Sequence, residues 1–153
     1  MKRCYDCKAE KLVDATADLE LEVNGRKFQT TVPAIRCAGC GKQTIDGFAL
    51  GAFELSTAGE LARRGEVSPE SFKFMRKTLG MRAVDLAELL DVTPETISRW
   101  ENDKQPIDRK AAALLSAMVI DRLEGRTTIL DRLKTLLKPE PQPSLVRLVP
   151  RPA

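Results

Sequence analysis

Polar and apolar positions alternate in the first part of the chain. Leu19, Leu21 and Val23 are separated by Glu20 and Glu22, the period-two pattern of a strand with one buried face. Asn24-Gly25 follows, a dipeptide suited to positive φ at both centres of a tight hairpin turn. Phe28, Thr30 and Val32 resume the alternation as the returning strand. Two short strands cannot hold together alone in water, so this segment needs a staple. Over residues 46–66 the apolar positions Phe48, Leu50, Phe53, Leu55 and Leu61 are interrupted by Gly47, Gly51 and Gly59. That pattern predicts helical pieces in a connector, with a hinge near Gly59 or Gly65.

From residue 67 the period is helical throughout. Ser68-Pro69-Glu70 is a helix start, and Phe72, Met75 and Leu79 share one face before Gly80. A second helix spans Ala83 to Leu90, and a third opens at Thr93-Pro94-Glu95 and runs to about Asn102. A longer helix begins near Asp108 and stops at Gly125, and one more covers 127–138. Five of the nine prolines fall within 139–152, so residues 139–153 read as an extended tail. Within it, Ser144-Leu145-Val146-Arg147-Leu148-Val149 is a short strand-like run that could add to a sheet edge. The predicted class is α+β: a small β-hairpin module over 1–45, the connector, an all-α domain over 67–138, and the tail.

Composition narrows the function. The 153 residues suit one ordinary domain or two small ones, and a net charge of +3 says little about nucleic acid. Residues 66–125 carry nine Lys/Arg against eleven Asp/Glu, so any DNA affinity must come from where charges sit. No apolar run reaches the roughly 18 residues of a membrane span. The start, from Met1 to Cys7, lacks the apolar stretch of a signal peptide, which places the protein in the cytoplasm. Histidine is absent, which excludes His-based triads and mixed Cys/His metal sites; no nucleophile–base pair is visible, and no enzymatic activity is expected.

All four cysteines fall in two Cys-x-x-Cys pairs, Cys4/Cys7 and Cys37/Cys40, separated by 29 residues. A two-residue spacing lets both thiolates of a pair reach one metal, and two pairs close a tetrahedron. Gly39 and Gly41 flank the last ligand and permit a tight turn. One structural Zn2+ is the expected cofactor, with iron a chemical alternative in the same cage. In a reducing compartment, disulfides or four free buried thiols fit this spacing poorly. A closed site of this kind staples a fold and does not catalyse.

Residues 81–102 have the layout of a helix-turn-helix: a helix ending at Leu90, the turn Asp91-Val92-Thr93, and a helix beginning at Pro94. Ala87 is small where the two helices would cross, Val92 and Ile97 are apolar where they pack inward, and Thr93 is placed to cap. Leu86-Ala87-Glu88-Leu89-Leu90-Asp91-Val92-Thr93 and Ile97-Ser98-Arg99-Trp100-Glu101-Asn102-Asp103 resemble the Cro/repressor-type (XRE) helix-turn-helix family over about 70–120. The domain is thus expected to be lambda-repressor-like. Asp91 and Asp103 stand where that family favours Gly, and Asp tolerates the left-handed backbone better than most residues. Arg82 stands where it usually has Gln.

The resemblance implies a set of DNA contacts. Arg99 is the candidate for bidentate donation to guanine, and Glu95 for accepting from cytosine. Pro94 occupies a base-reading position but has no donor to offer there. Thr93, Thr96, Ser98, Asn102, Lys104 and Arg82 are candidates for phosphate or nearby contacts. Trp100 reads as packing and Glu101 as local structure, whereas Lys73, Arg76 and Lys77 fit equally a solvated helix face or a DNA-facing one.

The combination of the cysteine pairs, Gly41 and Ser98-Arg99-Trp100-Glu101 resembles the MqsA/YgiT-type antitoxin family over about 1–120. That resemblance implies a zinc module that neutralises a cognate toxin, and a helix-turn-helix domain that dimerises on operator DNA and represses its operon. A stand-alone zinc-containing regulator without a toxin is the alternative. The apolar surplus on 108–124 and 127–138 gives a separate motive for a homodimer.

Overall fold

The computed structural model describes residues 3–141 and 143–149; the chain ends at 1–2 and 150–153, the last part of the proposed tail, lie outside the described residues. The predicted α+β order holds. A three-stranded antiparallel sheet, β1 (Leu12–Val23), β2 (Arg26–Cys37) and β3 (Gln43–Ile45), precedes six helices: α1 (Gly47–Arg63), α2 (Pro69–Thr78), α3 (Ala83–Leu90), α4 (Pro94–Glu101), α5 (Arg109–Leu123) and α6 (Thr128–Leu137). No described helix is long and apolar enough to cross a membrane.

The hairpin is longer than the alternation alone suggested. β1 and β2 pair over twelve residues each, from Val23 opposite Arg26 to Leu12 opposite Cys37. Asn24 and Gly25 both take positive φ, 50° and 72°, as a type I′ turn requires. The expected inner row, Leu19, Leu21, Val23, Phe28, Thr30 and Val32, is buried or half-buried, whereas Glu20 and Glu22 are exposed. β3 pairs only with Ala34–Arg36 and was not foreseen, because three residues hold too little pattern to read.

The connector is a single 17-residue helix, not helical pieces, and it runs unbroken through Gly59. Asp46 caps its start by accepting the Phe48 N–H at 3.0 Å. Gly59 is buried inside this helix, where a Cβ would lie 2.6 Å from Leu123 Cδ2. Its role is therefore close approach of α1 to α5. Gly65, at φ 69°, follows the helix end and turns the chain toward α2.

Ala58 and Ala62 of α1 join Phe72, Met75, Leu86, Ile97, Trp100, Leu115 and Val119 in one buried core drawn from α1 to α5. Burial of each large side chain contributes about 1.5–3 kcal/mol. Trp100 packs edge-on against Phe72, with ring centroids 5.8 Å apart and planes at 81°. Ser68 caps α2 by accepting the Ser71 N–H at 3.1 Å, and Asp108, where the longer helix was expected to begin, caps α5 by accepting the Ala111 N–H at 2.9 Å. α6 buries no residue fully and lays Ile129, Leu130 and Leu133 on the core. Asp121 of α5 secures it by accepting the Ile129 N–H at 2.9 Å.

Glu66, between α1 and α2, latches the sheet to the helices. Its carboxylate accepts from Asn24 Nδ2 at 2.6 Å and pairs with Arg26, which ties the hairpin tip to the start of α2. The run 144–149 forms no strand.

Candidate metal centre and nucleic-acid interface

The first site lies at the end of the sheet remote from the Asn24-Gly25 turn. Cys37 ends β2, and Cys4, Cys7 and Cys40 stand on the turns before β1 and after β2. Their four sulfurs lie within 4.8 Å of one another. The Sγ atoms of Cys4 and Cys40 are 3.7 Å apart, and those of Cys7 and Cys37 are 3.5 Å apart. A Zn–S bond of about 2.3 Å implies tetrahedral edges of about 3.8 Å, so this donor set fits a tetrahedral metal. Cys4 and Cys37 are buried, while Cys7 and Cys40 are exposed.

The two turns are built alike. Lys8 N–H donates to Cys4 O at 3.0 Å, and Gly41 N–H donates to Cys37 O at 2.8 Å. Cys4 N–H reaches Ala9 O at 2.9 Å, and Cys37 N–H reaches Lys42 O at 2.9 Å. In each turn the residue four beyond the first cysteine takes positive φ: 61° at Lys8 and 75° at Gly41. Lys8 was not singled out from sequence, because its glycine counterpart is visible only when the two turns are superposed. Its side chain lies over the Tyr5 ring, 4.9 Å from the centroid, and donates to Tyr5 O at 2.8 Å.

Backbone amides turned toward the sulfurs favour thiolate. The N–H of Cys40, aided by that of Gly39, draws the Cys37 thiol down to about 6 against the opposing effect of burial. The N–H groups of Cys7 and Asp6 lower Cys4 in the same way. At Cys7 the Ala9 N–H also favours thiolate, but the sulfurs of Cys37 and Cys40 and desolvation outweigh it and push that thiol up to about 12. Sulfurs this close repel as anions, and a dication at their centre would let all four ionise. Lys42 stands beside the cage, held above its ordinary range by Asp6 first and by the Cys4 and Cys40 sulfurs after it.

The second site is α3, the turn and α4. Asp91 ends α3 in the left-handed region at φ 54°, ψ 46°, and Asp103 does the same after α4 at φ 55°. Asp thus performs the turn at both positions where glycine was the alternative. Thr93 Oγ1 accepts the Thr96 N–H at 3.2 Å and caps α4, with Pro94 in its first turn. Ile97 and Trp100 are buried beneath the helix. Glu95, Ser98, Arg99 and Asn102, spaced i, i+3, i+4 and i+7, lie on its exposed face. Thr93 and Lys104 are exposed at the two ends, and Thr96 is half-buried.

Like Thr93, the predicted contact residues Arg82 and Asn102 are held by intramolecular bonds. Arg82 occupies the N-cap position of α3, where its backbone N–H donates to Asp85 Oδ2 at 2.9 Å and its guanidinium grips the same carboxylate, with Nη2–Oδ1 2.8 Å and Nε–Oδ2 3.0 Å, while remaining largely exposed. The Arg82 guanidinium, with help from its backbone N–H, holds the Asp85 carboxyl down to about 2. Asn102 Nδ2 donates to Ser98 O at 2.7 Å.

Arg76 belongs to neither a solvated nor a DNA-facing surface. It is buried in α2, where Nε and Nη2 donate to the two oxygens of Glu101 at 2.5 and 2.9 Å and Nη1 donates to Met81 O at 2.6 Å. This fork joins α2, the loop before α3 and the last turn of α4. Sequence flagged Glu101 as structural but could not name its partner, which lies 25 residues away.

Residues 72–118 match a family model described as helix-turn-helix. The match runs from α2 into α5, so it takes in the turn, α4 and the fork behind it. This segment is a helix-turn-helix domain of the XRE type, the DNA-binding part of transcriptional regulators. The chain joins that domain to a four-cysteine cluster able to hold a metal ion. Comparison with curated proteins and with solved structures gives no significant match.

Proposed function

We propose that the protein is a sequence-specific transcriptional repressor whose sheet is stapled by one structural Zn2+ on Cys4, Cys7, Cys37 and Cys40. The observation that carries the DNA reading is the exposed row Glu95, Ser98 and Arg99 on a helix whose rear face is locked by Ile97, Trp100 and the Arg76–Glu101 fork. A rigidly backed helix can present Arg99 to guanine O6 and N7 and Glu95 to a cytosine amine. Thr93, Thr96, Ser98, Asn102, Lys104 and Arg82 surround that row and would meet phosphates or nearby groups. A homodimer would set two such helices one DNA turn apart.

Cys4, Cys7, Cys37 and Cys40 would hold the metal in a closed set of four thiolates, so its role would be structural. Its binding couples to folding of the sheet end. Within this reading the protein is the antitoxin of a toxin–antitoxin pair and represses its own operon, with the zinc module as the toxin-binding part. The joint presence of the paired cysteines and the XRE-type domain supports that step.

The test is a mobility-shift titration against DNA upstream of its own reading frame. A discrete shifted species that survives non-specific competitor is expected. Absence of any specific complex from an intact fold would overturn the repressor reading. For the antitoxin step, co-expression with the adjacent reading frame should relieve growth arrest caused by that frame alone. A harmless neighbour would leave the stand-alone regulator.

A further inference from the structure

Leu145, Val146, Leu148 and Val149 follow the last helix and are 73%, 57%, 80% and 94% exposed. Single exposed apolar residues are ordinary, but four within five positions form a patch that calls for a cover. The stretch before it has proline at every second position, Pro139, Pro141 and Pro143. Such a sequence favours a stiff extended chain of about 3.1 Å per residue, which carries Leu145 roughly 20 Å from Lys138.

A groove of about 490 Å³ lies between α3 and α6. Met81, Leu89, Leu130 and Leu137 supply its apolar lining, and Glu88 stands on its α3 side. Glu88 is exposed and makes no ion pair among the described residues, whereas Asp85 beside it is taken by Arg82. Leu137 and Lys138 also line the groove, so the tail departs from its rim. A stiff spacer leaving from the rim overshoots its own groove. It suits a groove on a neighbouring molecule.

We propose that the groove between α3 and α6 receives the tail segment Leu145–Val149 of a second copy of this chain, with Arg147 paired to Glu88, in a reciprocal two-fold exchange. The inference rests on the dimeric reading and specifies its contacts. Apolar side chains supply the burial, and Arg147, the one cation within Leu145–Val149, meets Glu88, the carboxylate of the α3 side left without an ion pair among the described residues, across from Lys134 and Lys138 on the α6 side. Leu136, 71% exposed on α6, lies close enough in sequence to the rim to extend the same contact. A two-fold operator makes both exchanges identical, which closes the assembly at two copies.

The test is sedimentation equilibrium of the full-length wild type, Leu145→Asp/Leu148→Asp, Arg147→Glu, Glu88→Arg, and the Arg147→Glu/Glu88→Arg double variant. All four positions are on the surface, and circular dichroism checks that each variant folds. The tail variant should weaken self-association by about tenfold or more. Each charge reversal should weaken it, and the double variant should recover most of the loss. A monomeric wild type, unchanged association of the tail variant, or a double variant no better than either single one would overturn the exchange. Sedimentation is read without DNA and leaves the α4 face intact, so failure here is separable from failure of the repressor reading.

Discussion

Arg76 and Glu101 show how one buried pair can govern a surface that neither touches. Their side chains are 8% and 6% exposed, so the ions keep little hydration and depend on each other and on Met81 O. Removing one partner leaves a buried charge uncompensated. Arg76→Met or Glu101→Gln alone should therefore destabilise the fold by about 3–5 kcal/mol, measured by urea unfolding. Replacing both with apolar residues of similar volume should cost far less. Equal losses in the single and double variants would contradict this account of the fork. At Asp85 the effect depends on pH. Its folded pKa, about 2, lies below the unfolded value of about 3.9, so its contribution is complete above the unfolded value and fades as pH falls toward 2. The melting temperatures of wild type and Asp85→Asn should differ at neutral pH and converge as acid is added. A gap that stays constant through that window would remove Arg82 as the cause.

At the scale of elements, the sheet and its cysteine turns should stand or fall together. Cys37→Ser should lose bound metal and the amide-exchange protection of β1 to β3, while α2 to α5 keep theirs. Full metal content with a protected sheet would contradict the staple. Most element starts were legible because they rest on local chemistry: Ser68, Thr93 and Asp108 cap, Pro94 opens a helix, and Gly80 and Gly125 follow helix ends at positive φ. The hinge in α1 was misread because a glycine in a helix looks the same whether it bends the chain or admits a neighbour. Gly59 admits Leu123. Of the sites, the cysteines were legible by spacing alone. Glu66, Asp121 and the partner of Glu101 were not, because each acts through a contact that the fold creates. Arg82 was legible by position, but its grip on Asp85 became visible only in three dimensions.

The whole molecule is a helical core with a sheet fastened at its edge. α1 enters that core through Ala58 and Ala62, so the segment between the sheet and the XRE-type domain helps to build the domain it introduces. The domain carries no basic excess, and Arg99 and Lys104 share their surface with Glu95 and Asp103. If the domain binds DNA as proposed, long-range attraction to phosphate would be modest and specificity would rest on a few placed side chains. In the proposed reading Arg99 is the side chain that would read a base. The decisive measurement is a paired titration of wild type and Arg99→Ala, at one fixed salt concentration, against the operator and a scrambled duplex of equal length. The account predicts that the substitution costs about 1–3 kcal/mol on the operator and little on the scrambled DNA, so the ratio of the two affinities collapses. An unchanged ratio would show that Arg99 does not read the sequence, and would contradict the account at its centre.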